Sequence, residues 1–512
     1  MEKKYSFLAK ILSVVLLFGF STGCQKFLDE APSKTSSLVV KTTAQLEALL
    51  NAINTFRIEY SRAALFGSDD YGLTPTLYNA RPATFSYMPT IHFMLWDSQY
   101  VADDNNENNW EHEYKKIFVA NLALNNLDGV TGTESEKATI KADAHFIRAY
   151  SYWNLVNTYC LPYTEQNKNE PGLPLKLGVG FDEGVGRQTI ERVYQQIESD
   201  LVEALKTPVS LTESGRARHW RASKEGVNAF AARFYLNRNN NLKALEHANA
   251  ALADYNTLVD YNTDMSYAQD EKITINPGTA NAQVVTLRYP YTRTNQTDLT
   301  DMLGWKEFLY FRMMTNAFSW YVPSQELLGL YDQTNDLRYA YHYVEGFSYS
   351  RGMTNPSFDY PGYVFFHLTM IPSGPTVAEV LLTRAEAQAR LNNLSSAMAT
   401  INILRAKRMK AGPWVNLSAI NQADAVKKVL QERRREMPFV QRWIDIRRYN
   451  NNDDPSDDVI LTKEFYPFNG SSVINGEALK TYTLPKNSRR YAAPIPTTEV
   501  VSSNGAIEQN TY

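Results

Sequence analysis

The sequence predicts a mostly α-helical fold of tetratricopeptide-like helical hairpins, with a loop-rich insertion that contains a few short strands. Three observations predict this fold. Apolar stripes with helical spacing recur along the chain, capping boxes precede several of them, and a unit of helix, asparagine-rich turn and helix occurs twice. Residues 256–375 lack that spacing and are rich in Tyr, Thr, Asn and Pro, which indicates a functional insertion or a subdomain.

The bulk composition is that of an ordinary globular protein. The 512 residues are 44% hydrophobic and 21% charged. A formal net charge of -3 offers no electrostatic basis for binding nucleic acid. The 32 tyrosines suit a surface for a hydroxyl-rich ligand, and they suit core packing equally well.

The N-terminus has the pattern of a signal peptide. Lysines precede an apolar segment at residues 11–20, which is too short to span a bilayer. Small residues then lead to Cys24, as in a bacterial lipobox, where the cysteine is acylated after cleavage; a plain secretory signal is the alternative. We expect residues 1–23 to be removed and residues 24–512 to form a single domain. If Cys24 carries lipid, Cys160 has no cysteine partner.

Helical hairpins are predicted on both sides of the insertion. The repeats cover about 114–255 and 377–449, and the hairpins lie at about 114–159, 189–236, 226–254 and 377–447. Capping boxes begin helices at Thr42 and Thr133. The repeated unit aligns Asn241 with Asn393, Leu245 with Ala397, and Leu252 with Leu404. Within the insertion, the alternation in residues 283–289 predicts a strand.

Residues 57–112 are predicted to be a loop-rich region, the kind of segment that often carries function. Asp104, Asn106 and Asn108 occupy the first ligand positions of an EF-hand loop. Asn109 and Lys115 then stand where the loop requires glycine and glutamate, so an EF-hand is excluded. A looser cation site stays open, although a solvated polar loop is favoured.

The segment 431–449 combines a dense charge run with an apolar stripe. Arg433 falls within the stripe, where its charge requires a partner. Glu432, Glu436 and Asp445 are the candidates. A packed helix with buried ion pairs is therefore favoured over a solvated basic helix, and Pro438 predicts a kink or break.

Five segments, taken in order, resemble one family. They are FLDEAP at 27–32, HFIRAYSYWNLVNTYCLPY at 145–163, RQTIERVYQQIESDLVEAL at 187–205, ERRREMPFVQRWIDIRR at 432–448, and the tail PIPTTEV with QNTY at 494–512. The pattern is similar to that of the SusD/RagB family, the glycan-capturing lipoproteins of Bacteroidetes outer membranes. The resemblance covers residues 24–512, although Met437, Pro438 and Val440 depart from the usual signature.

The resemblance implies a SusD-like α-α superhelix and a non-catalytic role at the cell surface. The protein would capture an oligosaccharide or polysaccharide and pass it to a SusC-like TonB-dependent transporter, held to the outer membrane by its lipid anchor. No cofactor, metal or nucleic acid is implied. The ligand site is expected in the loop-rich regions at about 57–112 and 256–375.

A sugar site requires flat aromatic faces and side chains that hydrogen-bond hydroxyls. The candidate contacts are Trp96 and Trp320 as stacking platforms, Trp305 and Tyr321 as further rings, and Arg81, Asp69 and Asp70 as polar groups. Each ring has core packing as its alternative role.

Three other functions remain as alternatives to glycan capture. One is capture of a peptide or another nutrient by the same architecture, and a second is a protein-interaction scaffold built on the repeats. The third is a glycoside hydrolase, because abundant carboxylates leave an acid–base pair open. After the predicted signal peptide the sequence contains neither an HExxH nor a GxSxG motif, and a GxSxG match at residues 19–23 falls within that signal peptide.

Overall fold

The structure is a computed structural model. It describes residues 40–99, 109–180, 184–213, 216–217, 219–267, 271–275, 277–280, 282–287, 290–292, 303–315, 321–344, 360–365 and 370–512. Within these residues the protein is mostly helical with small sheets, as predicted. In the same residues no helix is both long and apolar enough to cross a membrane.

Short helices form the N-terminal region. They are α1 (Thr43–Leu50), α2 (Ile53–Phe56), α3 (Arg62–Phe66), α4 (Pro75–Ala80) and α5 (Met88–Met94). The predicted capping box at Thr42 is confirmed, with Gln45 as its reciprocal partner. Irregular backbone joins these helices, so this region holds its side chains mainly through tertiary contacts.

Three long helices form the next layer. They are α6 (Asn109–Asn126), α7 (Glu134–Tyr159) and α8 (Ile190–Ala204), with a 3-10 turn at Leu127–Gly129. The capping box of Thr133 and Glu136 is also confirmed. The Trp153 ring lies 6.0 Å from the rings of both Phe230 and Phe234, so α7 packs on the hairpin that follows.

Two helical hairpins repeat the same local structure. The first pairs α9 (Lys224–Asn237) with α10 (Asn241–Ala253), and the second pairs α13 (Val377–Arg390) with α14 (Leu394–Arg408). Asn239 and Asn392 both adopt positive φ, at 54° and 62°, which ends one helix and turns the chain into the next.

The predicted alignment of these hairpins is wrong by one residue. The helix-capping residues Ser223 and Thr376 are 153 positions apart, and so are Asn239 and Asn392, whereas the predicted pairing of Asn241 with Asn393 used 152. Ala244, not Leu245, then corresponds to Ala397, and both alanines are fully buried. Consecutive asparagines can be aligned in two ways that differ by one residue, so the sequence alone did not fix the alignment. The burial of the two alanines fits only one of these alignments.

The C-terminal helices are α15 (Gln422–Glu436) and α16 (Val440–Tyr449). The predicted break at Pro438 is confirmed, and Phe439 between the two helices has φ 68°. Its side chain is fully buried, so packing holds this backbone in place. The remaining helices are α11 (Gln325–Leu328), α12 (Leu337–His342) and α17 (Thr497–Ser502), with 3-10 turns at Pro455–Asp457 and Arg489–Tyr491.

Small sheets connect distant parts of the chain. A three-stranded sheet places β1 (Ile58–Glu59) parallel to β10 (Met313–Thr315), which is antiparallel to β13 (Met370–Pro372). The antiparallel pairs are β2 (Pro171–Pro174) with β3 (Arg187–Thr189), β4 (Thr212–Glu213) with β5 (Arg216–Ala217), β6 (Met265–Tyr267) with β9 (Pro290–Thr292), β7 (Glu271–Ile275) with β8 (Gln283–Leu287), β11 (Tyr343–Val344) with β12 (Gly362–Tyr363), and β14 (Leu461–Phe465) with β15 (Lys480–Leu484). β8 confirms the strand predicted in the insertion.

Candidate ligand-binding site

Both predicted carboxylates are bound to arginines of the C-terminal helices, Asp70 fully buried and Asp69 half-buried. Both oxygens of Asp69 lie 2.8 Å from Arg442, at Nε and Nη2. Asp70 Oδ1 accepts from Arg434 Nε at 2.7 Å, and its Oδ2 accepts the N–H of Phe439 at 2.8 Å. We name Asp69, Asp70, Arg434 and Arg442 the acid–arginine cluster. It connects the N-terminal loops to the break between α15 and α16.

The electrostatics of this cluster depend on its burial. Burial raises the pKa of Asp69, but Arg442 and Arg434 more than offset this effect and hold that pKa well below its ordinary value. Lys463 lies beside the cluster and donates from Nζ to the backbone oxygen of Tyr71 at 2.7 Å. Burial lowers the pKa of Lys463 to about 7, although the negative charges of Asp69 and Asp70 oppose this shift.

The Trp96 ring packs next to the same cluster. Its Nε1 donates to the backbone oxygen of Gly67 at 2.8 Å, and its centroid lies 5.9 Å from Lys463 Nζ. Only 5% of Trp96 is exposed, so in this structure its ring faces packed protein. A role as a stacking platform stays a prediction, and it requires local rearrangement to free the ring.

Tyr321 and Trp305 are also in packed surroundings. Tyr321 is buried with its ring 5.5 Å from Phe439. Trp305 is buried in a separate cluster, 5.6 Å from the ring of Phe365. The structure therefore brings Tyr321 towards the acid–arginine cluster and leaves Trp305 apart from it.

The last two predicted contacts are Arg81 and Trp320. Arg81 follows α4 as its C-terminal cap and is half-buried. Trp320 lies outside the described residues, as do Cys24 and the excluded calcium-loop positions Asp104, Asn106 and Asn108. Ligand contact by Arg81 and Trp320 stays a prediction. Elsewhere, in the residues that are described, no group of three or more His, Cys, Asp or Glu side chains could hold a metal ion.

An open polar cleft lies where several elements end. Its volume is about 710 Å³, and its walls are the segments 161–167, 237–239, 450–453 and 486–489. We name it the asparagine cleft, because eight of its lining side chains are asparagine or glutamine amides. Pockets of 300–1,000 Å³ suit small organic ligands. Amides can both donate and accept, and this property suits hydroxyl groups.

Sequence analysis did not identify the asparagine cleft. A signal was present, because runs of asparagine follow two predicted helices, at 237–241 and at 450–452. Nothing in the one-dimensional pattern shows that these runs meet, since they are far apart along the chain and belong to different hairpins.

Two family models match this chain. The first is SusD-like, is described as starch-binding associating with the outer membrane, and matches residues 26–236. The second is the SusD family model, which includes RagB, and matches residues 377–512. The chain belongs to the SusD/RagB family. SusD family proteins are binding proteins associated with the outer membrane, and neither match indicates a catalytic family.

Solved SusD-like structures share the fold. A SusD superfamily protein from Bacteroides thetaiotaomicron has 17% identity and a TM-score of 0.59, with 92% of this chain and 100% of that chain covered. A SusD-like carbohydrate binding protein from Bacteroides vulgatus has 18% identity and a TM-score of 0.59, covering 91% and 97%. A laminarin binding SusD-like protein has 17% identity and a TM-score of 0.56, covering 92% and 99%. The comparison with curated proteins found no match.

Proposed function

We propose that this SusD-family protein captures a glycan at the cell surface and delivers it to a SusC-like TonB-dependent transporter. The observation that carries the proposal is the match of residues 26–236 to a family model described as starch-binding in association with the outer membrane. A relative with the same fold is named as binding laminarin. An oligosaccharide or polysaccharide is therefore the ligand class that we propose.

The proposed mechanism is binding without chemistry. A general acid must hold a proton near the working pH, which requires a raised pKa in a carboxyl group. Arg442 and Arg434 do the opposite for Asp69, because they lower its pKa and keep it ionised. Burial raises the pKa of Asp70, but both of its oxygens also accept hydrogen bonds, from Arg434 Nε and from the N–H of Phe439. Because the oxygens of both carboxylates are occupied, they support a structural role over a role in hydrolysis.

We place the primary ligand surface on the loops at about 57–112 and 256–375. Arg81 and Trp320 are the proposed contacts with ligand, and the acid–arginine cluster holds the first of these loop regions through Asp69 and Asp70. Replacing Arg81 by alanine, and separately Trp320 by alanine, tests this placement by affinity for the bound glycan. Unchanged affinity in both variants would contradict it.

The proposed attachment to the outer membrane depends on Cys24. In bacteria grown with a labelled fatty acid, the wild-type protein is expected to carry label and to sediment with outer membranes. The variant Cys24→Ser is expected to lose both properties, because serine cannot form the thioether to lipid. A labelled Cys24→Ser protein would place the anchor elsewhere, whereas an unlabelled wild type would favour a plain secretory signal.

The function is tested with residues 25–512 against a panel of polysaccharides, by affinity electrophoresis and isothermal titration. A reducing-sugar assay runs in parallel. Retardation of the protein by one or more polysaccharides, without release of reducing sugar, supports capture. Product release would support a glycoside hydrolase instead.

Delivery is tested by purification from detergent-solubilised outer membranes through a C-terminal tag. Co-purification of a TonB-dependent barrel supports the transporter partnership. A barrel partner without retardation by any glycan would favour a protein-interaction scaffold or capture of a peptide. If glycans retard the protein but no barrel co-purifies with it, the result would support capture and contradict delivery to a transporter.

A further inference from the structure

We propose that the asparagine cleft is a second binding site, for a neutral saccharide, distinct from the loop surface proposed above. The inference rests on the proposed function in one respect, the glycan class of the ligand. The location of the proposed second site comes from the geometry of the cleft. Four segments that follow or precede helices converge there, and loops held by a rigid scaffold are frequent binding elements.

Free amide groups point to a ligand with hydroxyl groups. Within the described part of the chain, the side chains of Gln166, Asn237 and Asn487 make no hydrogen bond to protein. Asn451 uses its Nδ2 to donate to the backbone oxygen of Arg447 at 2.7 Å, which leaves its Oδ1 as an acceptor. Each free amide offers two N–H donors and an acceptor oxygen. A sugar hydroxyl can accept from such a donor and donate to such an oxygen.

Other amides in the cleft give the walls a defined shape. Asn450 donates to the backbone oxygen of Val459 at 2.8 Å and to the hydroxyl of Tyr491 at 2.9 Å. Asn167 donates to the backbone oxygen of Pro162 at 3.0 Å. The cleft therefore combines amides that position the backbone with amides that are available to a ligand. Preorganised walls lower the entropic cost of binding.

The charges that line the cleft are mostly compensated, which favours a neutral ligand over an anion. Lys486 pairs with Asp458 at 2.7 Å, Arg489 pairs with Glu170 at 2.9 Å, and Glu165 pairs with Lys168 at 2.7 Å.

Of the two remaining charges, Arg238 lies with its guanidinium carbon 3.5 Å from the ring centroid of Tyr163. The carboxylate of Asp453 lines the same cleft and balances the charge of Arg238. This balance leaves the cleft close to electroneutral, so hydrogen bonds rather than net charge are expected to select the ligand.

The test uses a double variant, Asn237→Ala with Asn487→Ala, in the full mature chain. Neither side chain has a folded-state partner, so the melting temperature is expected to stay at its wild-type value. Loss of two ligand hydrogen bonds is expected to weaken binding by about tenfold. Asn416→Ala is the matched control, because Asn416 is exposed and does not line the cleft.

A second variant replaces an amide of the cleft by a larger apolar side chain. Asn487→Ile removes the amide and adds a branched side chain with no flat face for a sugar ring to stack on, so binding at this site is expected to weaken. The probes are three neutral polysaccharides (laminarin, mannan and xylan) and one acidic polysaccharide (polygalacturonate), measured by affinity electrophoresis and titration. Hydrogen exchange is followed in segments 161–167 and 450–453, and slower exchange with a neutral polymer is expected.

The outcomes separate this proposal from glycan capture in general. Neutral-polymer binding that the double variant and Asn487→Ile both weaken supports the second site. Neutral-polymer binding that neither variant changes, with no slower exchange in the cleft, overturns the second site and leaves capture on the loops intact. Binding of polygalacturonate alone also overturns the neutral site while capture stands. No binding by the wild type to any polymer contradicts both proposals.

Discussion

Individual buried arginines determine how the C-terminal helices pack. Arg433 is 2% exposed, as its place in the apolar stripe predicted, and its Nε lies 2.7 Å from Oδ2 of Asp445, one of the three predicted candidate partners. Arg408 lies 2.8 Å from both Glu307 and Glu436, so it joins α14, the insertion and α15. These two buried arginines are tolerated because each has a carboxylate partner, and removal of that partner would leave a buried charge unpaired at a high cost in folding free energy.

The variant Asp445→Asn tests the value of that partnership. It leaves Arg433 and Arg448 without their shared carboxylate, so the free energy of unfolding is expected to fall by about 3 kcal/mol. The control is Asp424→Asn, which removes the i,i+4 partner of Lys428 on the outer side of α15 and is expected to change stability little. Denaturant unfolding measures both variants. If the free energy of unfolding fell equally in Asp445→Asn and Asp424→Asn, the buried ion pair would contribute no more to stability than the exposed one.

The buried ammonium of Lys463 predicts a pH dependence of stability. Its pKa is about 7 in the folded protein, below the value of 10.5 in the unfolded chain. Between these two values the unfolded state binds more protons, so stability rises with pH from about 7 to about 10. Below pH 7 both states are protonated and this contribution no longer changes.

The rise is measured as the difference in unfolding free energy between pH 7 and pH 9. The variant Lys463→Met is expected to remove part of the rise, because the titrating group is gone. Lys480→Met, at an exposed position in β15, is the control and is expected to keep the wild-type slope. A Lys463→Met protein with the full rise would assign the pH dependence to other groups.

At the scale of elements, two hairpins achieve the same turn with the same residue type. Asn239 and Asn392 occupy the left-handed region, which asparagine tolerates better than most residues. Each is followed by an asparagine at the N-cap of the next helix, Asn240 and Asn393. The backbone requirement explains the paired asparagines in both turns without any appeal to ligand binding.

Replacing Asn392 by alanine is therefore expected to destabilise the protein by roughly 1 kcal/mol, through the cost of left-handed backbone for a residue with Cβ. The variant Asn392→Gly is expected to leave stability unchanged or higher, because glycine adopts positive φ freely. Asn392 is exposed, so lost packing does not contribute. Thermal unfolding of the two variants makes the comparison, and similar losses in both would reject this explanation.

At the scale of the whole molecule, the acid–arginine cluster unites segments that lie at opposite ends of the chain. Asp69 and Asp70 come from the N-terminal loops, whereas Arg434 and Arg442 belong to the helices that precede the tail. The parallel pairing of β1 with β10 adds a second connection, from the same loops to the insertion. The loops that we propose to bind glycan therefore depend on contacts with distant helices.

The variant Arg442→Met is expected to speed hydrogen exchange in residues 62–73, because Asp69 loses both of its hydrogen bonds to Arg442. Exchange in α13 is expected to stay slow. The control, Arg405→Met, removes a pair with Glu432 between α14 and α15 and is expected to leave residues 62–73 unchanged. Uniform acceleration across the chain in Arg442→Met would indicate global destabilisation instead of a local connection.

The sequence by itself determined the helical class, the family, the first two capping boxes, the break at Pro438 and the need of Arg433 for a charged partner, whereas the choice of Asp445 among three candidates came from the tertiary structure. These features depend on neighbours a few residues apart, on backbone rules for proline, or on an apolar period that a single charge interrupts. Only the tertiary structure decided that Trp96, Tyr321 and Trp305 are buried. It also decided the correct register of the hairpins and the meeting of asparagine runs in one cleft. Exposure and convergence depend on contacts between segments far apart in the chain, and a local pattern carries no information about which distant residue covers a ring.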